Sequence, residues 1–102
     1  MVYTADIVKL NSRGMPQARI LTLSKNHLYV STPKKKCKRR FPLQVIQSVS
    51  LTAHWDGVVC VSISDAVDLL LIFPEKFDFL KALKETFLAL TTKELVVSEG
   101  NL

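Results

Sequence analysis

"PEKFDFLKALKETFLAL", residues 74–90, is the stretch on which the fold turns. Apolar Phe77, Leu80, Leu83, Phe87 and Leu90 fall at helical spacing there, with Leu88 and Ala89 broadening the stripe. Pro74 can occupy a first helical turn at no hydrogen-bond cost, and Glu75 and Asp78 suit the positive end of a helix dipole. Lys76, Lys81, Lys84 and Glu85 supply the solvent face. One such helix cannot bury its stripe alone, so the chain before it must provide the surface that it covers.

That chain reads as a β meander. Short runs rich in Val, Ile, Leu and Thr follow one another: Thr4–Leu10, Gln17–Ser24, His27–Thr32, a short strand ending "RRFP", Gln47–Thr52, Val58–Ile63 and Val67–Phe73. Turn residues separate them, as in "NSRGMP", "KN", "HWDG" and "SDA". In Gln17–Ser24, Arg19, Leu21 and Leu23 share one face while Ala18, Ile20, Thr22 and Ser24 share the other. Val49 and Leu51 face inward from the fifth strand, and Asp56–Gly57 suits a two-residue hairpin turn. After the helix, "TTKELVVSEGNL" holds one apolar trio, Leu95–Val97, and is expected to fray.

Seven strands and one C-terminal amphipathic helix make up the element order of a pleckstrin-homology-like barrel, mainly β, in which bent antiparallel sheets pack together and the helix plugs one end. The expectation is one such domain over residues 1–102, with strands about 4–73, a helix about 75–90 and a short tail. Its order bears on fold alone and not on function.

Charge is what singles the chain out. Six basic side chains fill seven positions, Lys34, Lys35, Lys36, Lys38, Arg39 and Arg40. Of the fourteen Lys and Arg and nine Asp and Glu, these six leave eight against nine elsewhere, a remainder of −1. Residues 1–52 hold ten basic groups and one acid, and residues 53–102 hold four and eight. The molecule is polarised, with one basic side. The longest apolar run is too short to span a bilayer, and no secretion signal is read at Met1, so reduced thiols in a cytoplasmic protein are expected.

With the strands laid out, the sequence resembles the tail homology 1 domain of class I myosins over roughly Tyr3 to Leu95. The likeness rests on "IVKLNSRGMPQARILTLS", "KCKRRFPLQVIQSVSLT", "WDGVVCVSI" and "DLLLIFPEKFDFLKAL", in order and at matching spacing. It implies a non-catalytic module that targets anionic membranes through phosphoinositide headgroups. The family's lipid motif maps onto Lys9 and Arg19, with Gln17 where a second basic residue often stands and Arg13 in the turn as a possible assistant.

The residues themselves agree with that implication. In a meander, the loops after the first and third strands share an end. Lys9, Arg13 and Arg19 are thereby brought to the same mouth as the Lys34–Arg40 run. Phosphatidylserine and phosphoinositide surfaces are the expected partners, at a cytoplasmic, peripheral-membrane location. A protein-interaction module with a cytoskeletal partner is the alternative. Nucleic acid is disfavoured, because exposed aromatics do not interleave with the basic groups: Phe41 reads as core and Tyr29 is isolated. His27 and His54 lack neighbours at metal-ligand spacing and the three glycines are scattered, so neither enzyme, metal nor cofactor is expected. Trp55 reads as packing over the barrel end, or else as inserting at a lipid interface. Cys37 reads as an inert exposed thiol, with oxidation or acylation as the other option, and Cys60 as core.

Overall fold

The computed structural model describes residues 2–34, 36–52, 57–64 and 68–100. His54, Trp55 and Asp56 of the hairpin tip, and Lys35 of the basic run, lie outside the described residues. The strands are β1 (Tyr3–Leu10), β2 (Pro16–Leu23), β3 (His27–Ser31), β4 (Cys37–Pro42), β5 (Ile46–Thr52), β6 (Val58–Ile63) and β7 (Leu69–Ile72). Helix α1 (Lys76–Thr91) follows, and then an eighth strand, β8 (Val97–Gly100). A 3-10 turn over Leu43–Val45 joins β4 to β5.

The hydrogen-bonded order is β4-β3-β2-β1-β7-β6-β5-β8. Two antiparallel meanders, β1–β4 and β5–β7, are therefore joined where β7 pairs with β1 through Val8↔Ile72, Lys9↔Leu71 and Leu10↔Leu70. Alternation decides the interior: Ile7, Leu21, Leu23, Leu28, Val30, Val49, Val59, Val61 and Leu71 are all buried on the concave side. The turn into β6 depends on Gly57. Its φ is +82°, and a Cβ there would stand 2.5 Å from the Phe73 carbonyl oxygen, whose own N–H donates to the Gly57 carbonyl at 2.8 Å.

Helix α1 closes the end of the barrel at the start of β1. Phe79 stacks on Phe73 with centroids 4.3 Å apart and meets Tyr3 at 5.8 Å. Burial, then the charges of Asp78 and Glu75, raise the Tyr3 pKa, as expected for a phenol under an acidic helix start. The helix ends at Thr92, in the left-handed region at φ 61°, with its N–H on the Leu88 carbonyl at 2.9 Å.

Four expectations need correction. The sheet has eight strands, because the expected fraying tail instead lies parallel along β5, pairing Val49↔Val97 through Thr52↔Gly100, with Leu95 buried. Helix periodicity placed Phe77 and Leu88 in the core; they are 65% and 47% exposed, and Phe79 is buried instead. Cys60 is half-buried on the convex face between Ser50 and Leu70, outside the core. Strand β4 begins at Cys37, so only the start of the basic run is loop.

Candidate functional site

The end of the barrel opposite α1 is framed by two turns. The β1–β2 turn is held by one side chain: Asn11 Oδ1 accepts the N–H groups of Arg13 and Met15, both at 2.9 Å. Backbone bonds close the same turn, from Gly14 N–H to the Asn11 carbonyl at 2.9 Å and from Asn11 N–H to the Met15 carbonyl at 3.0 Å. This turn carries Arg13 exposed, and Met15, across from Asn11 at its base, is 59% exposed. The β3–β4 turn is closed by Thr32, whose N–H donates to the Lys36 carbonyl at 2.9 Å while its Oγ1 accepts the Lys36 N–H at 3.1 Å. Lys34 and Lys36 are exposed here.

Strand register then sorts the cations into two sets. Lys9 lies opposite Gln17 on β2 and Leu71 on β7, and Arg19 lies opposite Ile7. Opposite residues in an antiparallel ladder share a face, so Lys9, Gln17 and Arg19 continue the concave face of Ile7 and Leu21 to the barrel rim. Lys9 and Arg19 are diagonal neighbours on it, a spacing of roughly 7–8 Å between backbones. Both are half-buried, and one Arg19 guanidinium N–H donates to the Ala18 carbonyl at 2.7 Å.

Arg39 joins them. It lies opposite Val30, itself opposite Leu21, and so belongs to the concave face, with its guanidinium carbon 5.0 Å from the centroid of the buried Phe41 ring. Burial lowers the Lys9 pKa first, and the positive charges of Arg39 and then Arg19 lower it further. Three cations thus converge at the rim, where Gln17 adds a neutral donor and acceptor. Lys38 and Arg40 belong elsewhere. Arg40 lies opposite Tyr29 on the convex face, beside His27, and Lys38 is the extra residue of a bulge between Val30↔Arg39 and Ser31↔Cys37. Both are exposed, as is Cys37, whose thiol donates to the Arg39 carbonyl at 3.4 Å.

Of the residues expected at the mouth, Lys9 and Arg19 are brought together, Arg13, Lys34 and Lys36 form an exposed ring on the two turns that frame them, and Lys38 and Arg40 lie apart on β4. Sequence reasoning assigned Arg39 to the diffuse patch. Counting alternation back from the apolar Phe41 would have put Arg39 inside. The acid of the first 52 residues, Asp6, lies opposite Ile20 on the convex face, away from this rim. Geometrically, three converging cations with desolvated stems suit a multiply charged phosphate, and the exposed ring suits a wider anionic surface.

Known proteins agree on the architecture. A family model described as "Unconventional myosin tail, actin- and lipid-binding" matches residues 1–101. No curated protein sequence matches the chain. Among solved structures, it is similar to the N-terminal PH domain of human ARAP2, at 16% identity and TM-score 0.74, covering 96% of this chain and 89% of that one. The PH domain of human oxysterol binding protein-related protein 11 gives 14% identity and TM-score 0.74, over 88% and 82%. The hSac2 domain of the human phosphoinositide phosphatase Sac2 gives 11% and 0.74, over 98% and 76%. At such identities these structures speak for the pleckstrin-homology-like fold alone.

Proposed function

This chain belongs to the unconventional myosin tail family, and from that premise we propose that its basic mouth binds anionic membrane surfaces, with phosphoinositide headgroups as the preferred ligand. Lys9, Arg19 and Arg39 take the headgroup phosphates, and Gln17 orients them. Arg13, Lys34, Lys35, Lys36, Lys38 and Arg40 supply the wider attraction to phosphatidylserine-bearing leaflets. The role is that of a non-catalytic targeting module, acting at a peripheral, cytoplasmic membrane face.

The observation that carries this reading is the convergence of three half-buried cations on one concave rim, where burial first, and then the charges of Arg39 and Arg19, lower the Lys9 pKa. Like charges gathered in this way cost free energy in the absence of a counter-charge, and a polyanion relieves that cost. Each exposed cation near an anionic leaflet adds about 1 kcal/mol before screening. Charge-assisted hydrogen bonds to a headgroup add roughly 1.5–3 kcal/mol each before desolvation.

A second reading keeps the mouth and changes the partner to an acidic cytoskeletal protein, which the family's description as actin-binding favours. The outer edge of β5 does not offer such a partner a strand site, because β8 already pairs with it.

Co-sedimentation with neutral, phosphatidylserine and bisphosphorylated phosphoinositide vesicles tests the first reading, at low and physiological salt. The expected result is a preference for phosphoinositide over phosphatidylserine at equal charge, lost in Lys9→Ala/Arg19→Ala. Neutralising Lys34, Lys35, Lys36, Lys38 and Arg40 while keeping Arg39 is expected to lower binding to both. Absence of pelleting with every anionic vesicle would sink the membrane reading.

A further inference from the structure

Thr32 and Pro33 open the turn between β3 and β4, and they are the one Ser/Thr–Pro pair in the sequence, followed by lysines at 34, 35 and 36. The proline favours extended backbone at Thr32, which follows the end of β3 at Ser31 and leads into the turn over Pro33 and Lys34. Pro33 and Lys34 are exposed and Thr32 is half-buried at the root of the turn. Its hydroxyl oxygen accepts the backbone N–H of Lys36 at 3.1 Å, so the group that would be modified sits at the closure of the turn that carries Lys34 and Lys36.

We propose that Thr32 is a phosphorylation site for a proline-directed protein kinase, and that its phosphate switches off the basic mouth. The inference rests on the membrane reading above. A kinase cleft takes an extended substrate. A proline directly after the target residue needs no partner for a missing N–H, and a basic group three positions on suits an acidic rim; Lys35 stands there in sequence. In the transfer, Thr32 Oγ1 bonds to the γ-phosphorus of ATP as the bond from that phosphorus to the ADP oxygen breaks. The hydroxyl proton passes to a base on the kinase, and ADP leaves.

The product places about −1.5 to −2 of charge at the root of the basic turn. Its oxygens accept hydrogen bonds from the Lys36 N–H and from neighbouring ammonium groups. Cations that would have faced the leaflet become paired within the loop. With two charges offset, vesicle affinity is expected to fall about thirtyfold, ~2 kcal/mol at about 1 kcal/mol per charge and 1.4 per tenfold.

The test incubates the purified chain with a cyclin-dependent kinase and MgATP, locates phosphate by mass spectrometry, and measures co-sedimentation with phosphatidylserine-rich vesicles at physiological salt. Thr32→Val, which cannot take the phosphate, runs alongside, with Thr32→Glu as a single fixed charge. Expected are one phosphate on Thr32, about thirtyfold weaker pelleting of the modified chain and about fivefold weaker pelleting of Thr32→Glu. The kinase-treated Thr32→Val chain should bind as the untreated protein does. An unmodified Thr32, or a phosphorylated chain that pellets as before, overturns the switch while leaving the membrane reading standing. Failure of the untreated chain to pellet overturns the membrane reading and the switch with it.

Discussion

Lys9 and Arg39 stand on strands separated by two others in the sheet, yet the guanidinium of Arg39 adds to burial in lowering the Lys9 pKa. Only a sheet curled towards closure brings β1 and β4 so near. The curl converts residues 30 positions apart in sequence into one cationic cluster. Arg39 and Arg40, adjacent in sequence, consequently have unlike surroundings.

Neutralising each of that adjacent pair gives a matched comparison, since both variants remove one charge. Arg40→Gln is expected to weaken binding to all anionic vesicles by about fivefold or less, as fits one surface charge. Arg39→Gln is expected to cost about tenfold or more on phosphoinositide vesicles and to remove their advantage over phosphatidylserine. Titration of each variant against both lipids reads the difference. Equal losses on both lipids would show that Arg39 acts only as diffuse charge.

The lowered pKa of Lys9 sets a pH dependence. Between the folded value and the ordinary 10.5, the unfolded chain holds the Lys9 proton more often than the folded chain does. Stability from this group therefore rises with pH across that window, and it is unfavourable below it. Phosphate binding works in the opposite sense, because it favours the charged amine. Headgroup affinity should thus fall on the alkaline side sooner than for an ordinary lysine, and binding near the lowered pKa should take up protons. Calorimetry in buffers of differing ionisation enthalpy measures that uptake, and Lys9→Gln should abolish it.

At the base of the Asn11-clamped turn, Met15 stands beside the mouth with most of its surface in water. A leaflet docked there would cover it. Met15→Ser should therefore weaken vesicle binding several-fold, within the ~1.5–3 kcal/mol available from burying a methionine. That loss should persist at high salt, where the charge variants converge. Salt titration of Met15→Ser beside Arg40→Gln separates the two contributions.

Phe79→Ala should destabilise the fold by roughly 3–5 kcal/mol, because it empties a site packed on Phe73 and Tyr3. Phe77→Ala, on a side chain 65% exposed, should change the midpoint of urea unfolding little.

Two glycines give a second matched pair. Gly57→Ala combines positive φ with a Cβ 2.5 Å from the Phe73 oxygen, and should cost more than the ~1 kcal/mol of the left-handed penalty alone, on the order of 2–4 kcal/mol. Gly14, at φ +76°, has nothing within 4 Å of the added carbon. Gly14→Ala should show only the conformational cost, about 1 kcal/mol, in thermal melts.

The meander was legible because its strands pair with neighbours in sequence, so alternation in residues such as Leu21, Leu23, Val49 and Leu51 reports the interior directly. Strand β8 was not, since "VSEG" carries no apolar alternation and its pairing with β5 spans the whole helix. Phe77 and Phe79 show why the helix face was misjudged. Periodicity gives the width of an apolar stripe, but its rotation is set by Phe73 and Tyr3 on the strands, which no helical count includes. Lys9 and Arg19 were legible as a pair because one short turn joins their strands. Arg39 reaches them across two more strands, a proximity created by sheet curvature.

Strand β1 is paired with β2 along its full length and with β7 near its end, and it runs from the helix-capped end to the mouth. Val2, at the start of that strand, shares a surface groove with Glu85 and Ala89 of the helix. A tension entering at residue 2 while the mouth grips a surface would run along the axis of β1. Its two ladders would be loaded in shear, with their hydrogen bonds sharing the force side by side instead of being unzipped in turn. The same strand that presents Lys9 would thereby carry that load along its own axis.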